Sequence, residues 1–320
     1  MPSCRICHNV NGNRTYRFRE MMFGSEDVFE YFQCANCGCL QIKEIRDNLF
    51  KYYDDEYYSF QRPDVLFDNV IKAFFKHQRA RFCLEDINLF RRVFLKIYRP
   101  PDYFNWLKRV NIRFESEILD VGCGTGHLLV RMKRDGFQNL TGVDAFIKED
   151  IYYENGVKLL KKDLSGIDGR FDFIMLHHSY EHMSDPLGTI QALYRLLKPG
   201  RYVLIRIPVA SSHAWESFGE NWVQLDVPRH LFLHTVKSMG LLADQSGFVL
   251  EEIVFDSTDF QFWGSEQYRR GIPLRGSRSF AENPRNSIFS KKDINGFKAR
   301  AKELNEKQMG DQACFYLYKL

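Results

Sequence analysis

One stretch constrains the fold of this chain more than any other: Glu117-Ile118-Leu119-Asp120-Val121-Gly122-Cys123-Gly124-Thr125-Gly126-His127-Leu128-Leu129. An apolar run of strand length enters a turn with three alternating glycines, and a helical pattern opens directly behind it. The missing side chains let the backbone approach a ligand closely, and the helix N-terminus supplies free N–H groups. The spacing is Gly-x-Gly-x-Gly, not the Gly-x-Gly-x-x-Gly of dinucleotide binders. Such a turn fits the C-terminal edge of a parallel sheet, where α/β folds hold their ligands.

The surrounding chain supports that placement. From residue 117, apolar runs alternate with helical stretches, which predicts βαβ units in an α/β fold. Strands are expected at 117–121, 140–144, 157–160, 171–176, 201–207, 248–255 and 313–319, seven in all. Asp144 ends the second of these, 18 residues beyond Gly126. A carboxylate there can take both hydroxyls of a ribose. Asp163, in Lys161-Lys162-Asp163-Leu164, follows the third strand, within reach of an adenine amino group. Singly, the turn reads as a tight connection and Asp144 as a helix cap. In this order, at these strand ends, they read as a nucleoside site.

The chain has 320 residues, 44% of them hydrophobic and 27% charged, enough for a sizeable core and about two domains. This composition excludes disordered and collagen-like classes. The net charge of +4 is too small to imply a nucleic-acid partner by itself. The longest apolar runs are of strand length, so no membrane span is expected, and Met1-Pro2-Ser3-Cys4-Arg5 lacks the apolar core of a secretion signal. The expected location is the cytoplasm.

Five of the eight cysteines fall in the first 39 residues. In a reducing compartment, the pairs Cys4/Cys7 and Cys34/Cys37 suggest a tetrahedral, structural zinc rather than disulfides. Cys39 and His8 are alternative ligands. Cys4-Arg5-Ile6-Cys7-His8 also spells a c-type haem attachment signature, which would require export and leave the second pair unexplained. Unliganded thiols are the remaining alternative.

Residues 1–48 thus read as a zinc ribbon and 49–110 as a helical connector. The connector opens on an aromatic run containing Tyr52-Tyr53 and Tyr57-Tyr58 and continues with many cations, among them Lys72, Lys76, Arg79, Arg91, Arg92, Lys96, Arg99 and Arg109. They form either a surface for phosphate groups, on a nucleotide-linked substrate, RNA or a membrane, or the solvated face of amphipathic helices.

With the glycine turn, Asp144 and Asp163-Leu164 on the page, residues 111–320 resemble class I S-adenosylmethionine-dependent methyltransferases. Phe171-Asp172-Phe173-Ile174-Met175-Leu176-His177-His178 and Leu196-Leu197-Lys198-Pro199-Gly200 share in the resemblance. It implies a Rossmann-like seven-stranded sheet. It also implies that Asp120, Gly122, Cys123, Gly124, Thr125 and Gly126 hold the methionine and ribose portion of the cofactor. Asp144 would hold the ribose hydroxyls and Asp163 with Leu164 the adenine, while His177 and His178 would lie beside the reactive methyl. The cysteine pairs, the tyrosines, Trp215-Glu216-Ser217-Phe218-Gly219-Glu220-Asn221-Trp222 and Leu225-Asp226-Val227-Pro228-Arg229-His230-Leu231 narrow the match. They resemble zinc-ribbon methyltransferases of sugar and polysaccharide biosynthesis, which implies a small-molecule acceptor such as a nucleotide-linked sugar.

Methyl transfer rests on alignment, and an oxygen or carbon acceptor also needs a base. His230 is the first candidate, with His178 beside the methyl as a second, and Arg229 is placed to clamp a carboxylate or phosphate. The opposing reading pairs Arg229 with Asp226 and makes His230 a helix cap. His178-x-x-Glu181-His182 has the spacing of an inverted zinc-protease motif, but inside a buried-strand motif Glu181 and His182 read as structural. The basic, glycine-bearing stretch 268–278 reads as a lid over the acceptor or as a plain surface loop. Rival functions are an RNA methyltransferase gripping RNA through 72–113, and a non-catalytic, zinc-dependent interaction protein that has kept the fold.

Overall fold

The computed structural model describes residues 2–25, 27–46, 49–53, 62–65, 68–84 and 94–320. Tyr57-Tyr58, Arg91 and Arg92 lie outside the described residues.

The apolar runs become two sheets. The small one is antiparallel and holds β1 (Arg14–Arg19), β2 (Val28–Gln33), β3 (Leu40–Ile42) and, from far along the chain, β10 (Phe232–Leu233). The large one comprises β4 (Glu117–Val121), β5 (Asn139–Val143), β6 (Ile151–Tyr152), β7 (Lys158–Leu160), β8 (Phe171–His177), β9 (Leu197–Pro208), β11 (Val249–Phe255) and β12 (Gln312–Lys319). Its order is β11-β12-β9-β8-β4-β5-β7-β6. The five strands β7, β5, β4, β8 and β9 run parallel, while β12 lies antiparallel between β9 and β11.

Among the described residues the large sheet therefore has eight strands, where seven were expected. The extra one is β6, a two-residue antiparallel partner of β7 at the sheet edge, too short to leave a periodic signal. The small sheet is completed by β10, so it draws on residues on both sides of the expected boundary at 48.

β8 and β4 are central and nearly continuously apolar, as strands covered on both faces must be. The helices that cover them carry their own start signals. Asp185 accepts from the Gly188 N–H ahead of α1 (Pro186–Leu196), whose first residue is a proline. Thr235 and Ser238 form a reciprocal capping box at the start of α2 (Val236–Gln245). One buried cluster runs without a break from Cys4, Ile6 and Phe18 of the ribbon to Ile174, Leu176 and Ile205 of the large sheet. Ribbon and sheet thus share a core.

β4 and β5 lie so close to the glycine turn that Gly142 has no room for a side chain. A Cβ there would fall 2.5 Å from Cys123 Sγ and 2.6 Å from Leu159 Cδ2. Gly142→Ala should therefore cost about 1–3 kcal/mol in denaturant unfolding, with Cys123→Ala in the same chain recovering part of it. An unchanged unfolding midpoint would contradict this packing.

Candidate active site and metal centre

The two cysteine pairs converge. Cys4 Sγ lies 3.6 Å from Cys37 Sγ and Cys7 Sγ 3.5 Å from Cys34 Sγ, and all four sulfurs fall within 4.8 Å of one another. Zinc bound at about 2.3 Å to each sulfur of a tetrahedron sets them roughly 3.8 Å apart, so the donor set fits that ion. The backbone N–H groups of Ile6 and Cys37 and the Gln41 amide point at Cys4 and Cys34 sulfurs, as donors do around thiolates. Gly38 follows in the left-handed region, φ 74°, where only glycine is unstrained. Cys39 faces away, with its sulfur 4.0 Å from His234 Nδ1, and His8 is outside the cluster. The cluster is compatible with structural zinc held by Cys4, Cys7, Cys34 and Cys37.

At the C-terminal edge of the large sheet, a cavity of about 480 Å³ opens between the glycine turn, the end of β5 and the residues after β8. Gly122, Gly124 and Gly126 all have positive φ, as the alternating spacing requires. Asp144 ties the turn to β5 by accepting from Gly124 N–H at 2.9 Å and Phe146 N–H at 2.8 Å. Gly122, Asp144, Asp163, Leu164 and His178 line the cavity. Asp120 sits buried behind the turn, and burial together with the Asp144 charge pushes its pKa up to about 7. Cys123 packs its sulfur toward Gly142, and Thr125 accepts from the Tyr153 hydroxyl through its carbonyl. The His177 ring lies tilted against Trp106, 4.3 Å between centroids, and is not part of the cavity wall.

Beside the cavity lies a partly buried imidazole–carboxylate network. His178 stands in the left-handed region, φ 51°. Arg206 can only donate, so its bond to His178 Nε2 at 2.9 Å leaves the proton on Nδ1, which faces Glu181 Oε1 at 3.4 Å. The His178 lone pair is thus engaged. Glu181 is fully buried, and neither of its oxygens finds a hydrogen-bond partner among the described residues. Burial would raise its pKa, but the facing His178, His182 and His230 outweigh that and lower it.

His230 and His182 both commit Nδ1–H to backbone carbonyls, of Gln224 and Arg229 respectively, each at 2.8 Å. Each therefore keeps its lone pair on Nε2. His230 Nε2 lies 3.8 Å from Glu181 and 3.7 Å from Asp226. Burial overrides the pull of both carboxylates and holds the His230 pKa down at about 4. The two rings stand 4.8 Å apart, and it is His182, not His230, that lines the cavity. The ligand atoms of Glu181, His182 and His230 lie within 4.8 Å of one another, close enough for a single cation.

Sequence reasoning missed two cavity residues. On the chain Glu181-His182 reads as a structural pair, yet His182 faces the open space. Tyr53, known only as part of an aromatic run, also lines it, with its hydroxyl 3.2 Å from His182 Nδ1 and its ring stacked on Phe146. No spacing rule announces either, because both are brought in by long-range packing. Arg229 is buried and fully engaged with Asp226, Glu20 and the Tyr52 carbonyl, so it forms a structural network and is not free to clamp an acceptor.

Two outcomes test this geometry. Cys34→Ser should lower bound zinc, measured by elemental analysis, and a variant that keeps its full metal content would contradict the four-cysteine assignment. His230 binds a proton at about 4 in the fold against 6.5 when unfolded, so the unfolded chain takes up the proton first and His230 stability is lost as pH falls between them. The stability gap between the native chain and His230→Gln should therefore shrink by about 2 kcal/mol from pH 7 to pH 5 in urea titrations. A constant gap would mean that His230 is not buried neutral.

A family model described as a methyltransferase domain matches residues 62–253. The tRNA U34 carboxymethyltransferase of Aliarcobacter butzleri is 26% identical over 171 residues, 49% of this chain and 52% of that protein. The ubiquinone biosynthesis O-methyltransferase of Pseudomonas aeruginosa is 26% identical over 173 residues, 48% of this chain and 73% of that protein. The chain thus spans about half the length of the first and about three quarters of the second. Among solved structures, the mycolic acid cyclopropane synthase CmaA1, complexed with SAH and CTAB, aligns at a TM-score of 0.45 and 16% identity, covering 81% of this chain and 99% of that one. That likeness is too distant to add to the strand order described above. The family match covers well over half of the chain, and on it the chain belongs to the methyltransferase-domain family, in its class I, S-adenosylmethionine-dependent form.

Proposed function

We propose that this chain methylates an oxygen or carbon of a small-molecule acceptor, with His182 and His230 receiving the acceptor's proton. The supporting observation is two imidazoles with bare Nε2 atoms, His182 half-buried on the wall of the cavity built on the glycine turn and His230 buried behind it, beside the fully buried Glu181.

S-adenosylmethionine supplies an electrophilic methyl group carried on a sulfonium. Gly122, Asp144, Asp163 and Leu164 would hold it, with Asp120 behind the turn ready to ionise when a cation comes near. His182 Nε2 takes the proton at the cavity wall. Glu181 and Asp226 then stabilise the charge that develops on the imidazole pair, a role like that of the carboxylate behind a catalytic histidine. The Tyr53 hydroxyl orients His182. His178, its lone pair held by Arg206, positions Glu181 and does not act as a base.

The acceptor class rests on the resemblance of 215–231 to methyltransferases of sugar and polysaccharide biosynthesis, which places a nucleotide-linked sugar or polysaccharide precursor first. Lys162 and Arg195 on the cavity wall are the cations available to a phosphate-bearing acceptor. A cytoplasmic enzyme fits such a substrate. RNA is the second reading, favoured by the tRNA-modifying relative. Against it, Lys76, Arg79 and Arg109 of the basic segment are already held by Asp68, Asp135 and Glu252.

The test is to incubate the zinc-loaded protein and S-adenosylmethionine with nucleotide sugars and then with tRNA, following S-adenosylhomocysteine release and the mass gain of the product. His182→Gln and His230→Gln should each lower kcat by about 10²–10³-fold. Wild-type turnover in both variants would remove the imidazole pair from the mechanism. Tight, steeply salt-dependent tRNA binding would favour the RNA reading. Cofactor binding with no transfer to any acceptor would favour a non-catalytic interaction protein.

A further inference from the structure

The helix Val70–Leu84 of the connector has two unlike sides. Toward the fold it buries Ala80 and Cys83, stacks His77 on Phe114 at 4.5 Å and pairs Arg79 with Asp135 at 2.6 Å. Away from it, Val70, Ile71 and Phe74 stand 86%, 68% and 56% exposed. The chain returns alongside through the stacked rings of Phe75, Phe94 and Tyr98, which brings up Ile97 and Tyr98 at 71% and 42% exposed. Five of the 13 exposed large apolar side chains among the described residues thus gather on two adjoining segments. Clustering of this kind marks an interaction surface, whereas singly scattered apolar residues do not.

Its border supplies the chemistry of the partner. Lys72 is exposed beside Ile71 on the helix, and Lys96 and Arg99 flank Ile97 and Tyr98. All three are exposed and form no ion pair with the described residues. The helix itself contains no acidic residue. Apolar tips beside exposed cations have the composition of an interfacial helix, whose side chains enter the acyl boundary while lysine stems reach back to anionic headgroups. No helix among the described residues is long and apolar enough to cross a membrane, so contact of this kind would be peripheral.

We propose that the face formed by Val70, Ile71, Phe74, Ile97 and Tyr98, with Lys72, Lys96 and Arg99 at its rim, docks this protein on an anionic lipid surface. Neither the cofactor nor the base assignment enters into this, and either can fail without the other.

Co-sedimentation of the full chain with vesicles of phosphatidylcholine alone, or of phosphatidylcholine mixed with phosphatidylglycerol, tests the proposal. Pelleting with the mixed vesicles only, weakened by salt, is expected. Ile71→Glu with Phe74→Glu should reduce it by about tenfold or more, and so should Lys72→Glu with Lys96→Glu. These side chains are exposed, so thermal melting and S-adenosylhomocysteine affinity should stay at their wild-type values. No pelleting with either vesicle, or unchanged pelleting of the variants, overturns the proposal. So does a dimer in light scattering that the Ile71→Glu, Phe74→Glu chain no longer forms, which would assign the face to a second copy of this chain.

Discussion

A buried ion pair ties the ribbon to the segment after β9. Glu20 of the ribbon meets Arg229 of the segment after β9 at 3.0 Å, and both side chains are fully buried. An isolated buried charge is untenable, so each end must be saturated. Glu20 accepts from the backbone N–H groups of Met22, Phe23 and Ser25, and Arg229 donates to Asp226 and to the Tyr52 carbonyl. Removing one partner of such a pair typically costs about 3–5 kcal/mol, because the other is left charged and buried. The ribbon turn, the start of the connector and the His230 segment are therefore held in one geometry.

That geometry has consequences on both sides. Tyr31 donates its hydroxyl to the His230 carbonyl at 2.9 Å, Ile42 N–H bonds the Leu231 carbonyl, and Thr235 donates to the carbonyl of Cys37, one of the four clustered cysteines. The same Arg229 that anchors Tyr52 leaves Tyr53 over the cavity against His182. The large sheet supplies the edge on which the cavity opens, and the cysteine cluster, through the ribbon, supports the segment carrying the imidazole network. The cysteine cluster thus supports one wall of the cavity without touching it.

What could be read in the chain follows from how local each signal is. The glycine turn, Asp144 and the seven principal strands are encoded within short windows, and their period and spacing survive folding. The cysteine pairs are equally local. The network of Glu181, His182, Asp226 and His230 is not, because it forms only when the turn after β8 meets the segment after β9. Arg229 shows the limit well: on the chain it is an exposed-looking cation next to a histidine, and only the arrival of Glu20 from 209 positions away makes it a buried structural group. The two-residue strands β6 and β10 escaped for a related reason, being defined by their partners and not by their own sequence.

The central claim is that the edge built on Gly122, Asp144 and Asp163 holds the adenosyl cofactor of a methyltransferase. Calorimetric titration of the zinc-loaded chain with S-adenosylhomocysteine, beside Asp144→Ala, tests it most directly. The account predicts micromolar binding by the native chain, lost in the variant because Asp144 both fixes the turn and faces the cavity. No binding by a folded native chain, or equal binding by Asp144→Ala, would contradict it.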